Sequence, residues 1–342
     1  MRTALAVLTE GIKIMKKIIL LSTGGTIAST AAADGRAVAG ALAGEDLVQQ
    51  IHPRAGIELR VQSVFQKPSN AITLDDLSAL HHACQSLIDA GDVDGIVVTH
   101  GTDTLEDTAY FLDTTLHTGN VTVVVTGSQR VPHAMGTDAF VNLQNAVHIA
   151  ADDQTQNMGV LVAFNEMIYA AASVRKVSSF QVNGFDAPAL GCLGVIDNGA
   201  VTVYQRPVRL PVLGFGTSPM PMVDIVSVYL DARPDLLDAA VQSGAQGIVV
   251  DGLGRGHVPP GWMASVTRAI DAGTLVLICT STLHGPVYTS YDFQGSLHEL
   301  ETAGALGISG LTARKARMRL IALLSLNPSI DRQTVKDAFT LV

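Results

Sequence analysis

With 342 residues, 47% of them apolar, the chain is long enough to bury a sizeable core, most simply as two domains. Its formal net charge of −9 argues against nucleic acid or an anionic membrane surface as partner, and no charge-free apolar run reaches the length of a membrane span. The three cysteines, Cys84, Cys192 and Cys279, lie far apart without CxxC spacing and read as buried, reduced thiols of a cytoplasmic protein.

Residues 1–16 read as an N-terminal extension. They lack the long apolar stretch and small-residue cleavage site of a signal peptide, and Met15 is an alternative start. The first strand is expected at Ile18–Leu21 and runs into Ser22-Thr23-Gly24-Gly25-Thr26-Ile27-Ala28. A helix follows over Leu74–Ala90, with Thr73 as N-cap, Asp75 and Asp76 in its first turn and Gly91 as its stop. A strand at Gly95–Thr99 leads through His100-Gly101-Thr102-Asp103 into a helix over Thr104–Leu116. Next come a strand at Val121–Thr126, a helix over Asp138–Ala151 and a strand at Gly159–Phe164. This alternation reads as βαβ units around a mostly parallel sheet. An Asn198-Gly199 pair within Gly194–Gln205 signals a hairpin.

Residues 206–222 contain Pro207, Pro211, Pro219 and Pro221 with Gly214 and Gly216, a linker composition. It divides a larger N-terminal domain, 17–205, from a smaller one, 223–342. The smaller unit resumes with strands Val223–Leu230, Gly247–Val250 and Thr274–Thr280 and helices Pro234–Gly244 and Pro260–Ala272. Helical patterns at Gly295–Thr302, Thr312–Leu324 and Ile330–Leu341 close the chain. The fold class is therefore two-domain α/β, with a parallel sheet in each unit.

Two strand-to-loop junctions carry the chemistry-bearing residues, where open α/β sheets place their sites. Gly24 and Gly25 permit a sharp turn and a close backbone approach, leaving Thr26 at the strand end; an ordinary βα turn is the plain alternative. The pattern is neither GxGxxG nor a Walker A loop, so phosphate binding has little support. Asp103 and Glu106 have the spacing of an N-cap and its N3 acid, and a plain cap would account for both. Against that stands the crowding of Gly101, Thr102, Asp103 and Thr104 after a wholly apolar strand, where a carboxylate can bind an ammonium group. Lys176 reads first as a solvated surface residue; a base of lowered pKa is the alternative, which the sequence alone does not promote. His81 and Cys84 share a helix face without a second ligand pair, so no metal site is expected. His100, His133, His257 and His284 remain candidates for chemistry, although no serine-hydrolase elbow accompanies them.

Together these residues resemble the bacterial-type L-asparaginase family, which includes glutaminase-asparaginases. Thr23-Gly24-Gly25-Thr26-Ile27-Ala28 is similar to its first signature, and the run from Thr99 to Ala109 to its second. Further likeness lies in Thr126-Gly127-Ser128-Gln129-Arg130, Asn142-Leu143-Gln144-Asn145-Ala146 and Lys315-Ala316-Arg317. The resemblance implies a flavodoxin-like, doubly wound larger domain and a homotetramer built as a dimer of dimers, with sites shared between subunits. It makes Thr26 the nucleophile and groups Thr102, Asp103 and Lys176 as the second polar part of the site. Asp103 would hold the substrate α-ammonium and Ser69, followed by Asn70, the α-carboxylate; Gly25 and Gly101 would line the same site. The lid of residues 29–44 contains no Tyr, where the family often carries one to support the nucleophile. Other departures are Ala172-Ser173 for the usual Arg-Asp, Thr137-Asp138-Ala139 for Ser-Asp-Gly, and His257 for the partner-subunit Asn.

The expected activity is hydrolysis of L-asparagine to L-aspartate and ammonia through an acyl-enzyme, with no metal or organic cofactor. Its rivals are a broader glutaminase-asparaginase acting also on L-glutamine, a subunit that passes ammonia to a partner, and a degenerate amino-acid-binding homologue without efficient turnover.

Overall fold

A computed structural model describes residues 15–31, 37–38, 44–216 and 219–341. Nearly all of the expected N-terminal extension and most of the expected lid lie outside the described residues.

The larger sheet is built from β1 Lys16–Gly24, β2 Ile57–Lys67, β3 Gly95–Thr99, β4 Thr122–Thr126, β5 Val160–Phe164, β6 Met167–Ala170, β7 Gly194–Asp197 and β8 Ala200–Val203. Their order across the sheet is β8-β7-β6-β5-β4-β3-β1-β2. The first five strands pair in parallel in the order 2-1-3-4-5, and β6 to β8 add an antiparallel edge. That is the flavodoxin-like order, and its switch point falls between β1 and β3. Strands β3, β4 and β5 are buried at every residue, which explains their unbroken apolar runs. The Asn198-Gly199 turn joins β7 to β8 with both residues at positive φ, 48° and 75°.

Helices α1 Leu74–Ala90 and α2 Leu105–Thr115 cover one face of this sheet, and α3 Ala139–Ala150 the other. The α1 start is a full capping box: Asp76 N–H donates to Thr73 Oγ1, and Thr73 N–H donates to the Asp76 carboxylate. Gly91 ends it in the left-handed conformation.

The second sheet is parallel throughout, in the order β9 Val223–Ser227, β10 Gly247–Gly252, β11 Leu275–Thr280 and β12 Leu306–Gly307. Helices α4 Asp235–Gln242, α5 Met263–Asp271 and α6 Leu297–Ala303 pack on one face. On the other face lies α7 Ala313–Leu326, followed by α8 Arg332–Ala338. Helix α7 touches both α2 and β9–β11, so Phe111 and Leu112 belong to the same apolar cluster as Leu320, Val249 and Leu277.

The Pro- and Gly-rich stretch between the units is tied down over residues 206–216. Arg209 pairs with Asp113 at 2.7 Å, Leu213 N–H donates to Thr114 O, and Arg319 donates to Pro211 O at 2.9 Å. Elements absent from the sequence reading are β2, β6, β12, a helix over Gly44–Val48 and a ribbon pairing Arg175–Lys176 with Phe185–Asp186.

Candidate active site

The site forms where β1 and β3 end side by side, with Ser22 opposite Thr99 in the register. Beyond β1 the chain turns at Gly24 and Gly25, with φ of 99° and 84°. Any residue with a Cβ is strained in that conformation, and here space forbids it too. A Cβ on Gly25 would fall 2.3 Å from the amide nitrogen of Gly101. A Cβ on Gly101 would fall 2.8 Å from Ser69 Oγ. The loops after β1 and β3 therefore meet backbone against backbone, and the loop after β2 reaches Gly101 with its Ser69 side chain. Thr26 begins a 3₁₀ turn, Thr26–Ala28; Ile27 and Ala28 anchor it in the core while Thr26 stays partly accessible.

In the second loop, His100 is fully buried. Its Nδ1 lies 2.7 Å from Gly101 O and its Nε2 2.9 Å from Thr108 Oγ1. Because a carbonyl only accepts, Nδ1 carries the hydrogen and Nε2 accepts from the Thr108 hydroxyl. Burial pushes the imidazole pKa down to about 4, so the ring is neutral and clamps the loop to α2. His100 is thus a support beneath the site. His133 and His284 are exposed.

Thr102, Asp103 and Lys176 come together as one group. Lys176 Nζ donates to Thr102 Oγ1 at 2.7 Å and to Asp103 Oδ1 at 2.7 Å. The Thr102 hydroxyl can in turn donate to Gln129 Oε1 at 3.4 Å. Gln129 is fixed by its backbone N–H to Asp138 and its Nε2 to Ser178 O, at 2.9 and 3.0 Å. Thr102 is buried; the Lys176 side chain is 17% exposed and that of Asp103 67%.

The alternative reading of Asp103 as a plain cap of α2 does not hold. The N-cap position belongs to Thr104, which makes no side-chain capping bond. Asp103 turns instead toward Lys176, and its own N–H donates to Ser69 Oγ at 3.2 Å. Glu106, the supposed N3 acid, accepts the Lys176 N–H at 2.6 Å. A charge-assisted partner on a distant segment outcompetes the local cap.

Ser69 is buried in a 3₁₀ turn, Ser69–Ala71, and its carbonyl accepts from Thr104 Oγ1 at 2.9 Å. Asn70, in the same turn, is exposed. Gly25, Ser69, Gly101, Thr102, Asp103 and Lys176 thus adjoin through contacts or hydrogen bonds, with Thr26 next to Gly25.

The sequence reading missed Gln129, Glu106 and Lys315 as neighbours of this group. Gln129 stands in the Thr126–Arg130 segment already noted for its likeness, which was the available signal. On α1, His81 Nδ1 lies 3.1 Å from Thr115 Oγ1, and the Cys84 thiol is pushed up to about 12 by burial. Among the described residues, no group of three or more His, Cys, Asp or Glu is arranged to hold a metal ion. His257, on the loop after β10, accepts the Leu297 N–H and packs against Tyr291 and Phe293.

Comparison with known proteins covers both units. The family model described as Asparaginase, N-terminal matches residues 17–209, and the Glutaminase/Asparaginase C-terminal domain matches residues 222–339. An L-asparaginase of Bacillus licheniformis is 42% identical over 324 residues, 95% of this chain and 99% of that one. A glutaminase-asparaginase of Pseudomonas aeruginosa is 34% identical over 72% of this chain and 70% of its own. A crystal structure of a probable cytoplasmic L-asparaginase from Campylobacter jejuni superposes with a TM-score of 0.83 at 28% identity, covering 95% of this chain and 99% of that one.

Proposed function

We propose that this chain, which belongs to the bacterial-type L-asparaginase family, hydrolyses the side-chain amide of L-asparagine to give L-aspartate and ammonia. The observation that carries the reading is the Lys176 amine bridging Thr102 Oγ1 and Asp103 Oδ1 at 2.7 Å each, beside the loop that presents Thr26. It joins a nucleophile-bearing turn, a proton-carrying hydroxyl–amine pair and an anionic anchor at one sheet switch point.

In this reading the Thr26 hydroxyl attacks the amide carbon and ammonia leaves. Water then cleaves the resulting ester and releases aspartate. Lys176 relays protons through Thr102, whose oxygen accepts from the amine and whose hydrogen can point to Gln129. Backbone N–H groups near Thr102 stabilise the oxyanion, each worth about 2.7–4 kcal/mol in comparable sites. Asp103 binds the substrate α-ammonium: Oδ1 faces Lys176, while the exposed side chain leaves Oδ2 for the ligand. Ser69 Oγ accepts from Asp103 N–H and keeps its hydrogen for the α-carboxylate. Fixing both ends of the amino acid sets the amide carbon against Thr26.

Several finer features belong to the same proposal. The units divide at residues 17–205 and 223–342; the chain assembles as a dimer of dimers; and the protein is cytoplasmic, a reading supported by its likeness to the probable cytoplasmic L-asparaginase of Campylobacter jejuni, with its cysteines free. The glutaminase-asparaginase relative supports a second reading, in which L-glutamine is also a substrate.

Ammonia release from L-asparagine, L-glutamine and D-asparagine by the purified protein tests these readings together. Turnover of L-asparagine is expected. Comparable turnover of L-glutamine would select the broader specificity. Affinity for L-asparagine without ammonia release would select the binding protein.

A further inference from the structure

Lys315 lies in the first turn of α7, in the second unit, yet its amine ends under the first unit's site. Only 1% of the residue is accessible. Its Nζ donates to the carbonyls of Ala172 and Val174, the segment that leads directly into Lys176. Two residues further on, Lys176 N–H donates to Glu106 at 2.6 Å. The segment from Ala172 to Lys176 is therefore held by two buried groups of unlike sign, Lys315 on α7 at its Ala172 and Val174 carbonyls and Glu106 on α2 at the Lys176 N–H. The neighbouring Arg314 reaches the same place, pairing with Asp107 and lying 3.5 Å from Glu106. The segment's remaining backbone hydrogen bonds are local, Ser173 and Val174 N–H both turning back to Ala170 O and Lys176 belonging to a two-residue strand, while the Val174 side chain is buried in the core.

A fully buried amine is costly unless it is hydrogen-bonded, and a Met here would fill a similar volume without that cost. Burial pushes the Lys315 pKa down to about 8, against the upward pull of Glu106 and Asp107. Its partners are two carbonyl oxygens, so its direct hydrogen bonds are spent on fixing a backbone rather than on neutralising a charge.

We infer that Lys315 is a positioning residue for Lys176: by holding the Ala172 and Val174 carbonyls, it sets the height at which the Lys176 amine meets Thr102 and Asp103. The second unit thereby fixes the geometry of the first unit's site within a single chain. The inference rests on the proposed role of Lys176 in proton transfer.

Steady-state kinetics with L-asparagine on the full chain test it, using the parent, Lys315→Met, Lys315→Arg, Lys176→Met and the double variant Lys176→Met/Lys315→Met. Lys315→Met should lower kcat on the order of 10²-fold, the scale of an ångström of misplacement, while KM stays near the parent value. Lys315→Arg keeps the donors and should recover most of the loss. The double variant should be no slower than Lys176→Met alone, because there is no amine left to misplace. If Lys176→Met is impaired while a folded Lys315→Met keeps the parent kcat, the inference fails and the role of Lys176 stands. Losses that multiply in the double variant also overturn it. An unimpaired Lys176→Met would overturn the reading of Lys176 itself, and this inference with it. Where Lys315→Met does not fold, Lys315→Gln, which retains a donor on a shorter stem, takes its place with the same expected split between kcat and KM.

Discussion

Gly25 and Gly101 meet so closely that a Cβ on the first would fall 2.3 Å from the backbone nitrogen of the second. This contact brings the loops after β1 and β3 together, and with them Thr26 and the Thr102–Asp103 pair. Gly25 also sits at φ 84°, where a side chain is strained whatever the space.

Gly25→Ala should therefore damage the site more than its size suggests. The backbone strain alone costs about 1–3 kcal/mol, and the loops must part to admit the methyl. The expected result is a lowered melting temperature and a kcat reduced on the order of 10²-fold. A variant with parent stability and parent kcat would show that the two loops need not touch.

Asp103→Asn should weaken recognition of the substrate amine without loosening α2, because Asp103 makes no capping bond. A hydrogen bond between charged groups contributes about 1.5–3 kcal/mol, so KM for L-asparagine should rise about 10- to 100-fold. Thermal melting checks the helix and steady-state kinetics check the binding. Unchanged KM and kcat would remove Asp103 from the substrate site.

Lys176→Met should lose orders of magnitude in kcat while remaining folded, since its main-chain bond to Glu106 does not depend on the side chain. By contrast Asp34→Ala, in the Tyr-free lid and outside the described residues, should remain active. The reverse outcome, an active Lys176→Met and a dead Asp34→Ala, would move the base into the lid.

Much of this arrangement is legible in the sequence. The apolar runs at 95–99, 122–126 and 160–164 are the strands buried on both faces, and Thr73 to Gly91 announces α1 by its caps. Strand β2 was harder to read because it lies at the sheet edge, and only Ile57, Leu59 and Val61 alternate with polar neighbours before the pattern breaks. Thr26, Thr102 and Asp103 stand at strand ends, where local pattern finds them. Lys176 was legible only through resemblance, because an amine 17% exposed looks like any surface lysine until the fold brings Thr102 to it. Glu106 and Lys315 were not legible as a support: each is buried against a segment distant in sequence, and local spacing makes the first a helix cap.

Stability should fall as the pH drops from about 6.5 towards 4. His81 and His100 are both held near pKa 4 by burial, below the ordinary 6.5, so in this window the unfolded chain binds protons that the folded chain refuses. Each contributes a slope of about 1.4 kcal/mol per pH unit in the middle of the window. Urea unfolding between pH 7 and 4.5 checks this, and His100→Gln should show a shallower decline than the parent. An equal slope in both proteins would mean that His100 already takes up its proton in the folded state.

The central claim is that Thr26 is the nucleophile of an asparagine-hydrolysing site, and ammonia release by purified Thr26→Ala tests it most directly. The substitution removes one hydroxyl and leaves the anchors Ser69 and Asp103 in place. The prediction is that release from L-asparagine is abolished while calorimetry still detects binding of the amino acid. Hydrolysis by Thr26→Ala at near the parent rate would contradict the claim.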